Sequence, residues 1–527
     1  MFPLYERGKF VALKSTAFIM KSKVLPALLV LFAFASCDPH DHPYFPNEDP
    51  ASFAEIGSID IGEAGAAEIS AYDPLTRKLF TVTNAGGATA IEVIDFSNPA
   101  NLVSIATIDV AQFGGNVNSV SVKDGHLAAA VEAMVKTDPG KIVIFKTTDY
   151  SVVKQVPVGA LPDMVTYSYD GKYIISANEG EPATDYSADP FGTVSIISVN
   201  DNYEGTTLDF SSFASQQNSL MAKGLRIFGP GVTPGTTISA GRFAKDIEPE
   251  YVTISSDSRT AWVTLQENNA IAKIDIGSRR ITNIYPLGFK NYNLDANAID
   301  PSDKDGGIFL NKWPVKGMYE PDAIAVAEYR GVPYLFTANE GDVREWDAYV
   351  ESKRVKDLTL DATAFPNAAT LKTDAVLGRL KVTTTLGDPD KDGDYDELYS
   401  FGARSFSVWN GNNGQLLFDS KNDLDKRNIT AGFYDDGRSD DKSVEPEGIA
   451  LGYVGKKPIA FVGMERSDAV AIYDISNPAN PSFLKLLHTG DAPEGLLFIP
   501  AKDSPTHHSI LVASAEGDGT IKVYQAN

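Results

Sequence analysis

The sequence predicts an all-β chain folded as a seven-bladed β-propeller, its ring closed by pairing of N- and C-terminal strands. Three observations predict this. An acidic or amide residue, often after proline, opens a short apolar strand seven times: at Pro162-Asp163-Met164-Val165, Pro249-Glu250-Tyr251-Val252, Pro321-Asp322-Ala323-Ile324, Pro446-Glu447-Gly448-Ile449 and Pro493-Glu494-Gly495-Leu496, with looser copies around Asn118 and Glu68. Fixed recurrence of one strand unit is the mark of a radial repeat. The second strand is repeated as well, since Ser176-Ala177-Asn178-Glu179-Gly180-Glu181 nearly recurs as Thr337-Ala338-Asn339-Glu340-Gly341-Asp342. Finally, the last repeat ends at Thr520-Ile521-Lys522-Val523-Tyr524, while 53–61 carries Ile56, Ile59 and Ile61 at strand positions and can supply the missing outer strand. Such pairing removes an exposed sheet edge.

Each repeat then has the parts of a sheet. Third strands with alternating apolar residues are expected at 91–96, 142–146, 194–199, 271–276, 406–409, 470–475 and 521–524. Two of them run into the same turn, Asp95-Phe96-Ser97-Asn98-Pro99-Ala100-Asn101 and Asp474-Ile475-Ser476-Asn477-Pro478-Ala479-Asn480. The repeat markers Glu68, Asn118, Asp163, Glu250, Asp322, Glu447 and Glu494 are spaced by 50, 45, 87, 72, 125 and 47 residues, against about 40–50 for a four-stranded blade. Three repeats therefore carry insertions, near 201–241, 280–319 and 343–398, with helix confined to them. Insertions emerge at a rim and build binding surface, because the sheets are committed to packing. The single domain spans 52–527.

The formal net charge of −24 repels phosphate backbones, so nucleic acid is not expected as a partner. A single cysteine excludes an internal disulfide framework and thiolate metal clusters. That cysteine has its own reading. Lys21 and Lys23 precede an apolar run from Val24 to Ala35, followed by Ser36-Cys37-Asp38, which reads as a lipoprotein signal peptide starting at Met20 and ending at residue 36. The run is shorter than the ~20 residues of a membrane span. Cys37 would then carry lipid, with 37–51 as a polar tether, and the cell envelope, at the outer membrane or cell surface, is the expected location.

Asn178-Glu179-Gly180-Glu181-Pro182, Glu248-Pro249-Glu250-Tyr251-Val252, Gly317-Met318-Tyr319-Glu320-Pro321-Asp322, Asp394-Tyr395-Asp396-Glu397-Leu398-Tyr399-Ser400-Phe401-Gly402 and Glu445-Pro446-Glu447-Gly448 together resemble the choice-of-anchor I family, over about residues 52–526. The family includes mesenchyme-specific cell-surface glycoproteins and secreted bacterial proteins. The resemblance implies a cell-surface or secreted propeller held by one of several kinds of anchor.

Chemistry is expected at three places. In Asp388-Pro389-Asp390-Lys391-Asp392-Gly393-Asp394-Tyr395-Asp396-Glu397, carboxylates at positions 1, 3 and 5 with Gly at 6 aim hard oxygens at one centre, which suits Ca²⁺. Tyr399 stands where an EF-hand has its closing Glu, so Asp396 or Glu397 must complete the shell. Asp300, Asp303 and Asp305 form a weaker second loop, in which turn chemistry alone explains the Asp, Ser, Pro and Gly clustering.

The third place is a ring of acids: Asp163, Glu250, Asp322, Glu447 and Glu494 opening first strands, and Glu179, Glu267, Glu340, Glu465 and Glu516 after second strands. Either these converge on the axis, raising one another's pKa and recruiting a cation or basic ligand, or each accepts hydrogen bonds from backbone N–H groups in a repeated turn. Arg344 and Arg404 could pair with the acids or with an anionic ligand. There is no Gly-x-Ser-x-Gly, His-Glu-x-x-His or phosphate-binding glycine loop. The sequence thus favours a calcium-binding, surface-anchored monomer that recognises a protein or glycan. The alternative is a calcium-dependent hydrolase of phosphate esters or lactones.

Overall fold

The computed structural model describes residues 46–87, 89–232 and 236–527. The expected leader and Cys37 lie outside them. Among the described residues are seven four-stranded antiparallel sheets. The first is Ala66–Asp73, Lys78–Thr83, Ala90–Asp95 and Val103–Asp109; the second is Val117–Lys123, His126–Val131, Pro139–Lys146 and Val152–Ala160. The third comprises Pro162–Tyr167, Tyr173–Asn178, Thr193–Ser198 and Glu204–Asp209, and the fourth Pro249–Ile254, Thr260–Leu265, Ala270–Asp275 and Arg280–Pro286. The fifth contains Ile324–Tyr329, Val332–Asn339, Ser405–Asn410 and Leu416–Asp419, and the sixth Pro446–Val454, Lys457–Met464, Ala469–Asp474 and Ser482–His488. In the seventh, Pro493–Ile499, Ile510–Ala515 and Thr520–Gln525 are joined by Ala54–Asp60, with Ile59 opposite Ile521 and Gly57 opposite Val523.

These strands form because their apolar residues alternate toward two neighbouring sheets rather than toward water. An apolar layer fills each junction. Phe80 and Val93 meet Leu127 and Val143 between the first two sheets, and Trp262 and Ile271 meet Leu335 and Trp409 between the fourth and fifth. Phe461 meets Leu511 between the sixth and seventh, and Ile510 and Val512 meet Leu79 and Ile94, which returns the stacking to the first sheet. Cyclic stacking of four-stranded sheets is the propeller arrangement. The repeated turn is also real: Ser97 N–H donates to Asp95 Oδ1 at 2.9 Å and Ser476 N–H to Asp474 Oδ1 at 2.8 Å.

Three boundaries differ from expectation. Glu204–Asp209 and Arg280–Pro286, inside the stretches read as insertions, are outer strands of the third and fourth sheets. An outermost strand is covered on one side only, so it carries too few apolar residues to stand out. The helix Asp423–Ala431 lies in a further insertion, between the fifth and sixth sheets, that spacing alone merged with 343–398. The end of the expected tether is docked: Glu48 accepts from Ser509 N and Oγ at 2.7 Å each, and Asp49 N–H donates to the Asn527 carbonyl at 2.9 Å. The large insertion has its own small core, in which Val355, Leu377, Leu380 and Val382 pack with Tyr292.

Candidate metal centre

Irregular backbone places the acids. Ladder register breaks between Pro162 and Val165, Pro249 and Val252, Pro446 and Ile449, and Pro493 and Gly495. Asp163, Glu250, Glu447 and Glu494 fall in these gaps. A bulge re-aims the side chain it frees, and the leading proline, lacking an N–H, suits a strand's first residue. Asp322 comes just before its strand, its N–H donating to the Ala338 carbonyl at 3.1 Å. Glu179 and Glu340 directly follow second strands, each succeeded by a glycine with positive φ, Gly180 at 73° and Gly341 at 92°. A Cβ on Gly341 would lie 2.2 Å from Gly402 N, so only glycine lets the chain turn there.

The first strands thereby enclose a cavity of about 220 Å³ lined by seven carboxylates, Asp163, Glu250, Asp322, Glu340, Asp342, Glu447 and Glu494. None of its described lining residues is basic. Carboxylate oxygens of Asp163, Glu179 and Glu250 lie within 4.8 Å of one another, as do those of Asp322, Glu340 and Glu447. Like charges at ~5 Å repel by about 3 kcal/mol per pair at an effective dielectric of ~20. Burial first, and then neighbouring carboxylates, therefore push Asp163 up to about 7. Asp342 rises to about 8 from the same first cause, despite Lys442. Glu250, Asp322, Glu447 and Glu494 are held well above the ordinary range. Glu447 Oε2 and Glu494 Oε2 are buried without a hydrogen-bond partner. Of the two readings of these acids, the geometry brings out convergence.

The rest of the expected ring set stands behind the lining. Glu179 and Glu267 join Glu248 in a third carboxylate group, and Glu465 joins Glu340 and Glu445 in a fourth. Glu494 is raised by burial first, and then by Glu516 and Glu68. Glu68 itself accepts from Asn84 Nδ2 at 3.1 and 3.0 Å and is pushed by burial up to about 8. Sequence reasoning assigned no role to Asp342, Glu248 or Glu445. The signal was present, since Glu248-Pro249-Glu250 and Glu445-Pro446-Glu447 repeat one pattern.

Cations gather at one side of this centre. Lys442 Nζ is 2.6 Å from Glu340 Oε1 and 3.1 Å from Glu445 Oε2. Arg344, expected near the acids, reaches Glu248 at 2.7 Å and Asp246 at 3.3 Å. Arg226 joins Glu320 at 2.5 Å and also Glu351, all fully buried. Arg226 and Arg344 lie against the Phe228 ring, 4.0 and 4.2 Å from its centroid. Arg404 instead donates to the carbonyls of Asp300, Ser439 and Asp441.

The acidic loop divides. Asp388, Asp390 and Asp396 bring carboxylate oxygens within 4.8 Å of one another, and Asp396 Oδ2 is buried without a partner. Asp392 and Asp394 flank them, Asp392 Oδ1 accepting from Asp394 N at 3.1 Å. Glu397 leaves the group, for it pairs with Lys316 at 2.8 Å and with the Tyr399 hydroxyl. Asp394 and Asp396 are raised by desolvation first, then by Asp392 and Asp390 respectively, and then by Asp361, unnoticed in the sequence. The carboxylates of the second loop are engaged elsewhere. Asp300 accepts from Phe309 N at 2.8 Å and Ser302 N at 3.3 Å, Asp303 is held by Arg379 at 2.8 Å, and Asp305 accepts from Gly307 N at 3.3 Å.

The choice-of-anchor I domain model matches residues 68–478. Gigasin-3a of Magallana gigas is 29% identical over 185 residues, covering 29% of this chain and 65% of that protein. Mesenchyme-specific cell surface glycoprotein of Strongylocentrotus purpuratus is 24% identical over 341 residues, covering 55% and 42%. The chain thus spans under two-thirds of either relative. Among solved structures, the β-propeller domain of Cps50 (Swd1) from Myceliophteria thermophila aligns at TM-score 0.44 and 9% identity over 89% of this chain and 100% of that one. The WD40 domain of Toxoplasma gondii coronin aligns at 0.44 and 7% over 92% and 87%. With the family match running from the first sheet into the sixth, the chain belongs to the choice-of-anchor I domain family.

Proposed function

We propose that this protein is a surface-associated, seven-bladed propeller that holds divalent cations, calcium first, and presents its insertion rim as a recognition platform for a protein or glycan. One observation carries the proposal: among the described residues, seven carboxylates and no base line a single cavity of about 220 Å³. An all-oxygen, charge-rich set suits Ca²⁺, which takes six to eight such ligands. Asp163, Glu179 and Glu250 would hold one ion and Asp322, Glu340 and Glu447 another, with Asp388, Asp390 and Asp396 holding a third in the rim loop. The bound ion supplies positive charge that removes the mutual repulsion of these groups. Isothermal titration of chelator-treated protein with Ca²⁺ tests this, with Glu250→Gln and Glu447→Gln each expected to lower the bound equivalents. Unchanged titration in both variants would reject the axial sites.

The surface location draws support from the name of the sea-urchin relative, a cell surface glycoprotein, and from the lipid signal expected at Cys37. Loss of fatty-acid labelling in Cys37→Ser tests the anchor, and light scattering of the processed protein tests the monomer. A calcium-dependent hydrolase is the second reading, favoured by two carboxylate groups facing one cavity, where paired ions can flank a phosphate. Turnover in a phosphoester and lactone panel that requires Ca²⁺ and is lost in Glu250→Gln would establish it over simple binding.

A further inference from the structure

We infer that a divalent cation also binds behind the axial cavity, at the junction of the third and fourth sheets, on Glu179, Glu248 and Glu267. The chain builds the same arrangement twice. Asp163, Glu179, Glu248-Pro249-Glu250 and Glu267 serve the junction of the third and fourth sheets, and Asp322, Glu340, Glu445-Pro446-Glu447 and Glu465 serve that of the fifth and sixth. In both, the Glu of the Asn-Glu-Gly stretch belongs to two carboxylate groups at once. It meets the two first-strand acids at the cavity, and it meets the Glu before the proline and the Glu after the next second strand behind the cavity.

In the later copy, the rear group already contains its cation. The Lys442 ammonium lies 2.6 Å from Glu340 and 3.1 Å from Glu445. Arg438 adds a contact to Glu445 at 2.6 Å, and Arg466 one to Glu465 at 2.8 Å. Lys442 thus marks a position between these carboxylates where positive charge is stable.

The earlier copy has the acids without the ammonium. Glu179, Glu248 and Glu267 are 8%, 3% and 4% exposed, and their oxygens lie within 4.8 Å of one another. Arg344 approaches from one side, bonding Glu248 through Nε and Nη2, while Nη1 meets the Asp246 carboxylate and Nη2 also donates to the Asp246 carbonyl. Glu267 Oε2 is buried with no hydrogen-bond partner. Buried carboxylate oxygens left unpaired are costly, and the two guanidiniums nearby are committed to other acids as well, Arg344 to Asp246 and Arg226 to Glu320 and Glu351. Carboxylates alone, with no imidazole or thiolate among them, select a hard ion such as Ca²⁺, Mg²⁺ or Mn²⁺. Glu179 would then bridge this ion and the one at the cavity.

The test uses the full chain, stripped of metal and equilibrated by dialysis against radiolabelled Ca²⁺. Glu267 belongs to the rear carboxylate group and not to the cavity groups, so Glu267→Gln is expected to lose about one equivalent per chain, while Lys442→Met vacates the sister position and is expected to gain about one. Equal binding by Glu267→Gln and the unaltered chain overturns the inference. A loss confined to Glu250→Gln, which lies only at the cavity, overturns it while leaving the axial reading intact. Should Glu267→Gln fail to fold, crystals of the unaltered chain in Mn²⁺ decide the matter. An anomalous peak among Glu179, Glu248 and Glu267 supports the site, and a peak restricted to the cavity refutes it.

Discussion

Lys442 Nζ lies 2.6 Å from Glu340 Oε1, whereas Glu179, at the same place in the other Asn-Glu-Gly copy, is faced by Asp163, Glu250, Glu248 and Glu267. Two junctions built on one pattern therefore differ in fixed charge. One holds an ammonium between its rear carboxylates, whereas the other has only the Arg344 guanidinium, shared between Glu248 and Asp246, so the ionic conditions should govern stability as well as binding.

The pH dependence follows. Asp163 and Glu465 are pushed up to about 7, and Asp342 and Glu68 to about 8, by burial above all. In the unfolded chain these carboxyls ionise near ~4. Between about pH 4 and 8 the folded state therefore holds more protons than the unfolded one, and stability falls as pH rises. Thermal unfolding in chelator should show a Tm highest near pH ~5 and lower by several degrees near pH ~8, with Ca²⁺ restoring it at the higher pH. A Tm that is flat across this window contradicts the proposed charge balance.

Arg226 is buried against Glu320 and Glu351 and also donates to the Glu267 carbonyl at 3.0 Å. Arg226→Met should cost about 3–5 kcal/mol in denaturant unfolding, because it strands two buried carboxylates. Arg226→Lys should recover little, since an ammonium lacks the forked reach to separate partners. Full recovery by lysine would show that charge alone matters here.

In the rim loop, Asp388→Asn combined with Asp390→Asn should remove about one bound Ca²⁺ per chain and abolish Ca²⁺-dependent slowing of amide exchange across residues 384–396. The axial equivalents should persist. If exchange in this loop ignores Ca²⁺ in the unaltered protein, the loop is only a solvated turn.

Closure of the seventh sheet has a sensitive point at Gly57, where a Cβ would lie 2.3 Å from the Pro99 carbonyl oxygen. Gly57→Ala should destabilise by about 1–3 kcal/mol. Gly277→Ala, whose added carbon meets only Asp275 Oδ1 at 3.8 Å, serves as the nearly silent control.

Much of this was readable from the residues. Strand identity was plain wherever two packed sheets impose alternation, as at Val194 or Ile472, and the joining of the 53–61 segment to the last strand followed from counting strands, though not its register. Outer strands such as Glu204–Asp209 were missed because water on one side relaxes the demand for apolar residues. The convergence of Asp163 with Glu250 was open to two readings, because it depends on register breaks that composition does not encode. Asp361 could not be found at all, since only tertiary packing brings it to a loop some thirty residues further on.

The strand Ala54–Asp60 has consequences for the order of events on the ribosome. It is among the first parts of this domain to be made, yet its partner, Thr520–Gln525, is the last. The early strand must wait for nearly the whole domain to emerge before it can pair, and a contact of such long sequence separation is slow to form. During that delay Ile56 and Ile59 are open to chaperones, and a neighbouring nascent copy can offer the same complementary edge. Crowded synthesis should therefore yield strand-exchanged pairs, and slowing production should suppress them.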